Sequence, residues 1–448
     1  MERDVIRKVP LVKPGEPGMI VEEAPTEELA GYPSVGRRIP RRDTIFQVLG
    51  QLKYINDLSF PGMLYAKVLR SRYAHARILR VDVSKALEVP GVVAAITADD
   101  IPVNSFGPSL QDQPVLAKDK VRHMGDGIAA VAAVSEQIAE EALEKIVVEY
   151  EPLPVVLDPL EAMREDAPRI HEPRSNIYWE WHIRKGDVEK ALAEAHLVVQ
   201  ERYRTQMVEH VPMETHSSIA MWDAGGRLTV WCTVGRITLA RTDLARILQV
   251  PVSRVRVVST QLGGNFGGKN EITIEPVLAI LAKKTGRPVK GTYSRKEEFI
   301  ASTTRHPFIM EYTSGVTAEG RIIARKVRLI ADGGAYCSWS ETTLGKATIL
   351  SAGPYDIPNI ALDGYVVYTN KPMTGAMRGF GAPQVCFAYE SHMDTIAHRL
   401  GMDPLQIRLL NAYDEGSISA TGQILHSVAL KKTLLAAAER FGWEVKER

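Results

Sequence analysis

RVRVVSTQLGGNFGGKNEITIEPVLAILAKKTGRP, residues 254–288, decides the reading of the chain's second half. Arg254 and Arg256 alternate with Val255 and Val257, the period of a strand. In residues 271–288, Ile274, Val277, Leu278 and Leu281 fall at i, i+3, i+4 and i+7, the period of a helix, which Gly286 and Pro288 then stop. Between strand and helix lies GGNFGGKN, residues 263–270. A glycine loop between a strand and a helix can turn its N–H groups toward an anion. Gly263-x4-Gly268-Lys269 nearly spells a phosphate-binding P-loop, but Asn270 stands where that loop needs a serine or threonine hydroxyl for magnesium. Glycine at 263, 264, 267 and 268 exceeds what one tight turn requires, and lets backbone approach a bulky ligand closely. Phe266 reads either as a wall against a flat ligand or as an anchor buried in the core.

Downstream, TNKPMTGAMRGFGAPQ (369–384) repeats the design, with small residues around Arg378, Gly379, Phe380 and Gly381. The arginine aims charge at an anion or closes a structural salt bridge; the phenylalanine meets a ligand or packs in the core.

GGxFGGK followed about a hundred residues later by AxRGFGxPQ resembles the xanthine dehydrogenase and aldehyde oxidase family, the molybdenum hydroxylases. Residues 35–78 are similar to that family's opening α/β hammerhead domain. VRHMGDGIAAVAA (121–133), GDVEKALAEAHLVVQERYRTQMVEHVPMET (186–215), TTRHPF (303–308), GGAY (333–336) and ATGQIL (420–425) match further landmarks. The resemblance implies an α+β chain: a hammerhead domain followed by the first molybdopterin-binding domain. On this reading the N-terminal arm spans 1–34, the hammerhead 35–155, a proline-marked linker 156–177, and the molybdopterin-binding domain 178–448.

The same resemblance assigns residues. Gly264, Phe266 and Gly267 on the first loop and Ala376, Met377 and Arg378 on the second would bind the cofactor, with Phe266 and Val234 near the metal. Asn270, Lys346 and Phe380 would line the substrate pocket. The implied reaction takes oxygen from water, uses a glutamate as base, and hydroxylates an electron-poor carbon of an N-heteroaromatic, nicotinate- or purine-like. Electrons then leave through the pterin to iron–sulfur clusters and flavin. Three positions depart from the family: Asn270 where glutamate is frequent, Val234 where glutamine is frequent, and Lys346 where purine oxidases place arginine. Gly379 after the loop arginine argues against the carbon monoxide dehydrogenase branch, which has cysteine there.

The sequence contains no GxGE, the motif that carries the family's glutamate base. The chain therefore resembles the first of two split molybdopterin chains, as in nicotinate dehydrogenases of anaerobic bacteria. The expected partners are a second molybdopterin-binding chain supplying the base, a 2Fe–2S subunit and an FAD subunit. The cofactor is expected as molybdopterin cytosine dinucleotide with molybdenum. Two other readings stay open here: a cofactor-free scaffold, and a P-loop-like nucleotide-binding protein. His210, Glu214, His306 and Tyr336 stay open between the site and satisfied core groups.

Bulk properties agree. The chain has 448 residues, enough for two or three domains, and a net charge of +1, which argues against a dedicated nucleic-acid binder. Cys232, Cys337 and Cys386 are too dispersed for a zinc site or an iron–sulfur cluster. No stretch is apolar enough to span a membrane, and the N-terminus MERDVIRKVPLVKPGEPG lacks a secretory core, so a cytoplasmic location is expected.

Overall fold

A computed structural model describes residue 39 and residues 41–443. The chain divides into two compact units, residues 1–53 and 54–448. In the first, the short helix Thr44–Val48 is described; the arm expected over 1–34 lies outside the described residues.

The second unit is α+β. Its largest sheet has seven strands in the order Val255–Ser259, Leu228–Cys232, Ser217–Trp222, Val289–Thr292, Leu64–Arg70, Gly127–Ala133 and Val92–Thr97. Strands from before residue 156 and after residue 178 therefore share one sheet. They join where Leu64–Arg70 runs parallel to Val289–Thr292, with Leu64 opposite Val289. Gly127–Ala133 is almost wholly small and apolar, and buried on both faces, as suits an interior strand. The helix Glu136–Leu143 lies against it, its small Ala139 and Ala142 buried and Ser135 capping the N-terminus through the N–H of Ile138.

Residues 254–288 fold as strand, loop and helix. The helix runs Glu275–Thr285, with Ile274, the first apolar position of the spacing, as its N-cap. Pro276 has no N–H to give and fits only in a first turn, which fixes the start. Gly286, at φ +65°, closes the other end. Residues 275–282 are all buried, so the expected apolar stripe is enclosed on every side at the centre of the main core, and only the last turn, with Lys283 and Lys284, reaches solvent.

A five-stranded sheet follows the order Ile177–Lys185, Asn359–Tyr368, Ile322–Gly334, Phe308–Val316 and Leu197–Arg204. The second glycine-containing loop leaves the end of Asn359–Tyr368 and enters the long helix Ala382–Leu400, with Pro383 in its first turn. The helix Ser340–Leu350 packs on both. A two-stranded ribbon, Val208–Glu209 with Thr304–Arg305, lies beside that loop through a bridge from Thr304 to Thr374. Residues 156–177 carry the helix Pro159–Ala162 and bury Val156, Ala162 and Ile170 in a small core. Among the described residues, no helix is long and apolar enough to cross a membrane.

Candidate functional site

The two loops meet. The N–H of Arg378 donates to the carbonyl of Phe266 at 2.8 Å. Gly267 lies directly against the second loop: a Cβ there would stand 2.5 Å from the carbonyl oxygen of Ala376 and 3.0 Å from the Cα of Met377. Its φ of +110° also belongs to the left-handed region where side chains are strained. Phe266 and Phe380 adopt positive φ, +51° and +49°, without being glycine. Such strain persists only where the surroundings over-determine the backbone, and it concentrates at functional sites.

Beneath the first loop runs EHVPMET, residues 209–215. Glu214 Oε2 accepts from the N–H of Gly263 at 2.8 Å and pairs with Lys269 Nζ at 3.0 Å, clasping both ends of the loop. Lys269 is fully buried, and burial pushes its pKa below the ordinary lysine value against the pull of Glu214. The P-loop reading fails here, because the lysine that would reach a phosphate is enclosed and already paired. Asn265 Oδ1 accepts from Gly267 N at 2.8 Å and Lys269 N at 3.3 Å, so the loop spends part of its N–H groups on its own shape.

His210 sits under Gly268 with Nε2 at 2.8 Å from the Ala376 carbonyl and Nδ1 at 3.1 Å from that of Thr303. Burial pushes its pKa below the usual imidazole value, so the ring is neutral and only one of these nitrogens donates. His306 contacts Ser340 Oγ through Nε2 at 2.7 Å, and burial pushes it down to about 3. Tyr336 donates to Asp126 at 3.0 Å and packs edge-to-face with buried His123 and half-buried His171. It serves packing between segments.

Glu271 is the most perturbed carboxyl on the first loop. Burial raises its pKa to about 7, with Asp243 and Asp112 adding to the effect. Ser338 Oγ donates to its Oε1. Ser338 also faces the second loop, since a Cβ on Gly375 would meet its Oγ at 2.7 Å. The carboxyl thus backs both loops through one hydroxyl.

The structure brings Gly264, Phe266, Gly267, Ala376, Met377 and Arg378 to this joint. Gly264 packs on Pro212 and on the ring of Phe266. Phe266 is 49% exposed, which removes the reading of a buried anchor. The Arg378 side chain is exposed, and its carbonyl accepts from Arg305 Nη2 at 3.0 Å; it closes no salt bridge among the described residues. Phe380 meets Trp339 edge-to-face at 6.5 Å between centroids. Lys346 is exposed on the helix Ser340–Leu350, whose Thr343 and Ala347 back Gly381. Asn270 is half-buried, and its Oδ1 would lie 3.7 Å from a Cβ on Gly235. Val234 is buried in the main core, one residue before Gly235, whose N–H donates to Lys269 O at 2.7 Å. Sequence reading passed over Trp339, Ser338 and Arg236, which stand in no glycine motif. The aromatic at 339, six residues past Gly333, was the one available signal.

Whether a pterin-type cofactor fits is tested by unpaired polar atoms. The N–H groups of Phe266, Ala376 and Met377 find no acceptor among the described residues. Glu214 Oε1, Glu271 Oε2, Thr303 Oγ1, Trp339 Nε1 and Thr343 Oγ1 are buried without a partner. Such atoms are rare in folded proteins and mark where a polar ligand or water completes the set. Backbone donors at a glycine-cleared joint suit the acceptor-rich edge of a flat, anionic cofactor, so the residues fit. Among the described residues no cluster of His, Cys, Asp and Glu is arranged to hold a metal ion directly.

Residues 170–412 match the family model of the molybdopterin cofactor-binding domain, and residues 49–154 that of the aldehyde oxidase and xanthine dehydrogenase a/b hammerhead domain. The chain is 40% identical over 411 residues to the nicotinate dehydrogenase large molybdopterin subunit of Eubacterium barkeri, covering 91% of this chain and 96% of that one. It is 42% identical over 408 residues to a probable xanthine dehydrogenase subunit of Bacillus subtilis, covering 88% of this chain and 55% of the relative. Among solved structures, the aldehyde oxidoreductase of Desulfovibrio gigas superposes with a TM-score of 0.86 at 30% identity, covering 90% of this chain and 46% of the other. Quinoline 2-oxidoreductase from Pseudomonas putida gives 0.84 at 30% identity, covering 90% and 54%. The chain thus spans almost all of the first relative and about half the length of the other three.

Proposed function

Since the chain belongs to the aldehyde oxidase and xanthine dehydrogenase family of molybdopterin-dependent oxidoreductases, we propose that it is the subunit of a molybdenum hydroxylase that holds one side of the cofactor and orients an N-heteroaromatic substrate, nicotinate- or purine-like. The observation that carries this reading is the loop joint at Gly267 and Ala376, with its unpaired N–H donors.

When bound, the molybdenum–pterin group supplies the two-electron oxidation that puts water-derived oxygen on an electron-poor carbon. The chain's own residues do the rest of the work on this side. Backbone at Phe266–Gly267 and Ala376–Arg378 holds the group. Phe380, with Trp339 at its edge, would stack a flat ring, and Asn270 and Lys346 would offer polar groups to it. Glu214 and Glu271 each use one oxygen to hold the loops, Glu214 with Gly263 and Lys269 and Glu271 with Ser338, and the sequence contains no GxGE, the motif that carries the family's base. We therefore place the proton-accepting glutamate on a second molybdopterin-binding chain. The 40% identity to a chain named as the large molybdopterin subunit of nicotinate dehydrogenase favours this reading. A 2Fe–2S subunit and an FAD subunit would take the electrons, the cofactor would be the cytosine dinucleotide form, and the assembly would be cytoplasmic.

Elemental analysis, subunit identification and turnover of the natively purified complex test the proposal. Molybdenum, iron and a co-purifying chain with GxGE are expected. A metal-free chain running alone would instead make it a cofactor-free scaffold.

A further inference from the structure

Trp339, whose ring stands edge-to-face to Phe380 at 6.5 Å, follows directly on a strained residue. Ser338 has φ +44°, a left-handed conformation that serine rarely adopts. Such a backbone lasts only where its neighbours over-determine it, and here the neighbours can be named. The Oγ of Ser338 donates to Glu271 Oε1, one residue past the first loop. The N–H of the preceding residue, Cys337, donates to both oxygens of Asp112, at 3.0 and 3.3 Å. Asp112 also accepts from the hydroxyl of Tyr368 at 2.6 Å, at the end of the strand that leads into the second loop. Gly375 of the second loop leaves the room that Oγ occupies, since a Cβ there would lie 2.7 Å away. Among the described residues, Ser338 Oγ has no hydrogen-bond partner besides Glu271.

Glu271 is 3% exposed, and its second oxygen, Oε2, is buried without a partner. A carboxyl placed so costs stability that an apolar side chain of similar size would not. The apolar side chain, however, would leave the Ser338 hydroxyl with no acceptor inside a strained turn. We infer that Glu271 is a positioning residue: by holding Ser338 in its left-handed turn it sets the ring of Trp339 against Phe380, and so fixes, from the end of the first loop, the aromatic wall beside the second. A turn that relaxes at Ser338 swings the side chain that follows it, and a misplacement on the order of 1 Å is enough to weaken a stacking contact. In this role the carboxyl touches neither substrate nor cofactor. The use of the wall rests on the hydroxylase reading above; the positioning of Trp339 does not.

The experiment uses the whole purified complex with the wild-type chain, Glu271→Leu, Glu271→Gln, Ser338→Ala and the double variant Glu271→Leu/Ser338→Ala. Molybdenum content and amide hydrogen exchange along the chain are measured, together with KM and kcat for whichever of nicotinate and xanthine the wild type oxidises. Glu271→Leu should speed exchange about tenfold in the segments around Trp339 and Phe380 and leave the sheet strands unchanged. It should raise KM about tenfold with kcat kept within about twofold, because stacking holds substrate and transition state alike. Molybdenum content should be kept. Ser338→Ala should do the same, and the double variant no more than either single change, since both remove one bond. Glu271→Gln still offers the hydroxyl an acceptor and should stay close to wild type. Full additivity of the two changes overturns the inference, as does a Gln variant as impaired as the Leu one, or exchange that rises everywhere alike. Loss of molybdenum from Ser338→Ala overturns it by assigning the segment to the cofactor. Where Glu271→Leu does not assemble, Ser338→Ala carries the same expectations alone. A wild-type complex that lacks molybdenum or oxidises neither compound fails at the hydroxylase reading, and the exchange pattern then decides the positioning by itself.

Discussion

Arg378 donates its backbone N–H to the carbonyl of Phe266, and this bond ties two loops that lie far apart in the chain. The bond needs the close approach that Gly267 permits, since any side chain at that position would run into Ala376.

Gly267→Ala tests this approach. The added methyl would contact the Ala376 carbonyl at 2.5 Å in a backbone conformation that alanine disfavours. We expect a loss of about 1–3 kcal/mol of stability and, in the complex, most of the molybdenum. Denaturant midpoints and metal analysis check both. Retention of full metal content would mean that the joint does not hold the cofactor.

The Lys269–Glu214 pair predicts a non-additive result. Both side chains are buried, so Glu214→Ala leaves an uncompensated lysine charge and should cost about 3–5 kcal/mol. The double variant Glu214→Ala/Lys269→Met should be clearly more stable than Glu214→Ala alone, because it removes the stranded charge. Simple additivity in a denaturation cycle would refute the clasp.

Glu271 predicts a pH slope. Its folded pKa, about 7, lies above the ordinary value of 4.5, so the folded state holds its proton more tightly. The associated stability is present in full below the ordinary value and is lost as pH rises through about 7. Glu271→Gln mimics the protonated form and should remove this share of the slope, on the order of 3 kcal/mol at most. Asp112 and Asp243, both raised to about 6 by burial, leave a residual slope of the same sign. Urea midpoints from pH 4.5 to 8 for the two proteins decide it; parallel curves would exclude the assignment.

Phe266 predicts a separation of function from folding. Half-exposed, it should cost under about 1 kcal/mol when changed to alanine, whereas fully buried Phe308→Ala should cost about 3–5 kcal/mol. Activity of the complex should fall more steeply for Phe266→Ala than its stability does. An unchanged kcat/KM would remove Phe266 from the site.

Local structure was legible in the sequence wherever one segment decides its own shape. The alternation at 254–260 became the strand Val255–Ser259, and Gly286 ends its helix where the sequence places the stop. Both glycine loops could be located, because glycine marks where backbone must approach something closely. What stayed hidden depends on partners distant in sequence. Nothing near Lys269 announces that Glu214 encloses it, and a phenylalanine at 266 or 380 gives no sign of a left-handed backbone that tertiary contacts impose. Arg236 lies outside every motif, and only the fold sets it over Trp339. Nor does periodicity reveal that strands on either side of residues 156–177 share one sheet.

That shared sheet has a consequence in time. Leu64–Arg70 pairs with Val289–Thr292, so during synthesis the earlier strand leaves the ribosome long before its neighbour exists. At roughly 5–20 residues per second the interval is on the order of ten to fifty seconds. Throughout it, an apolar strand edge has no permanent partner and invites pairing with other nascent chains. Yield in the cell should therefore depend on translation speed through this interval and on holding chaperones as much as on the stability of the finished protein.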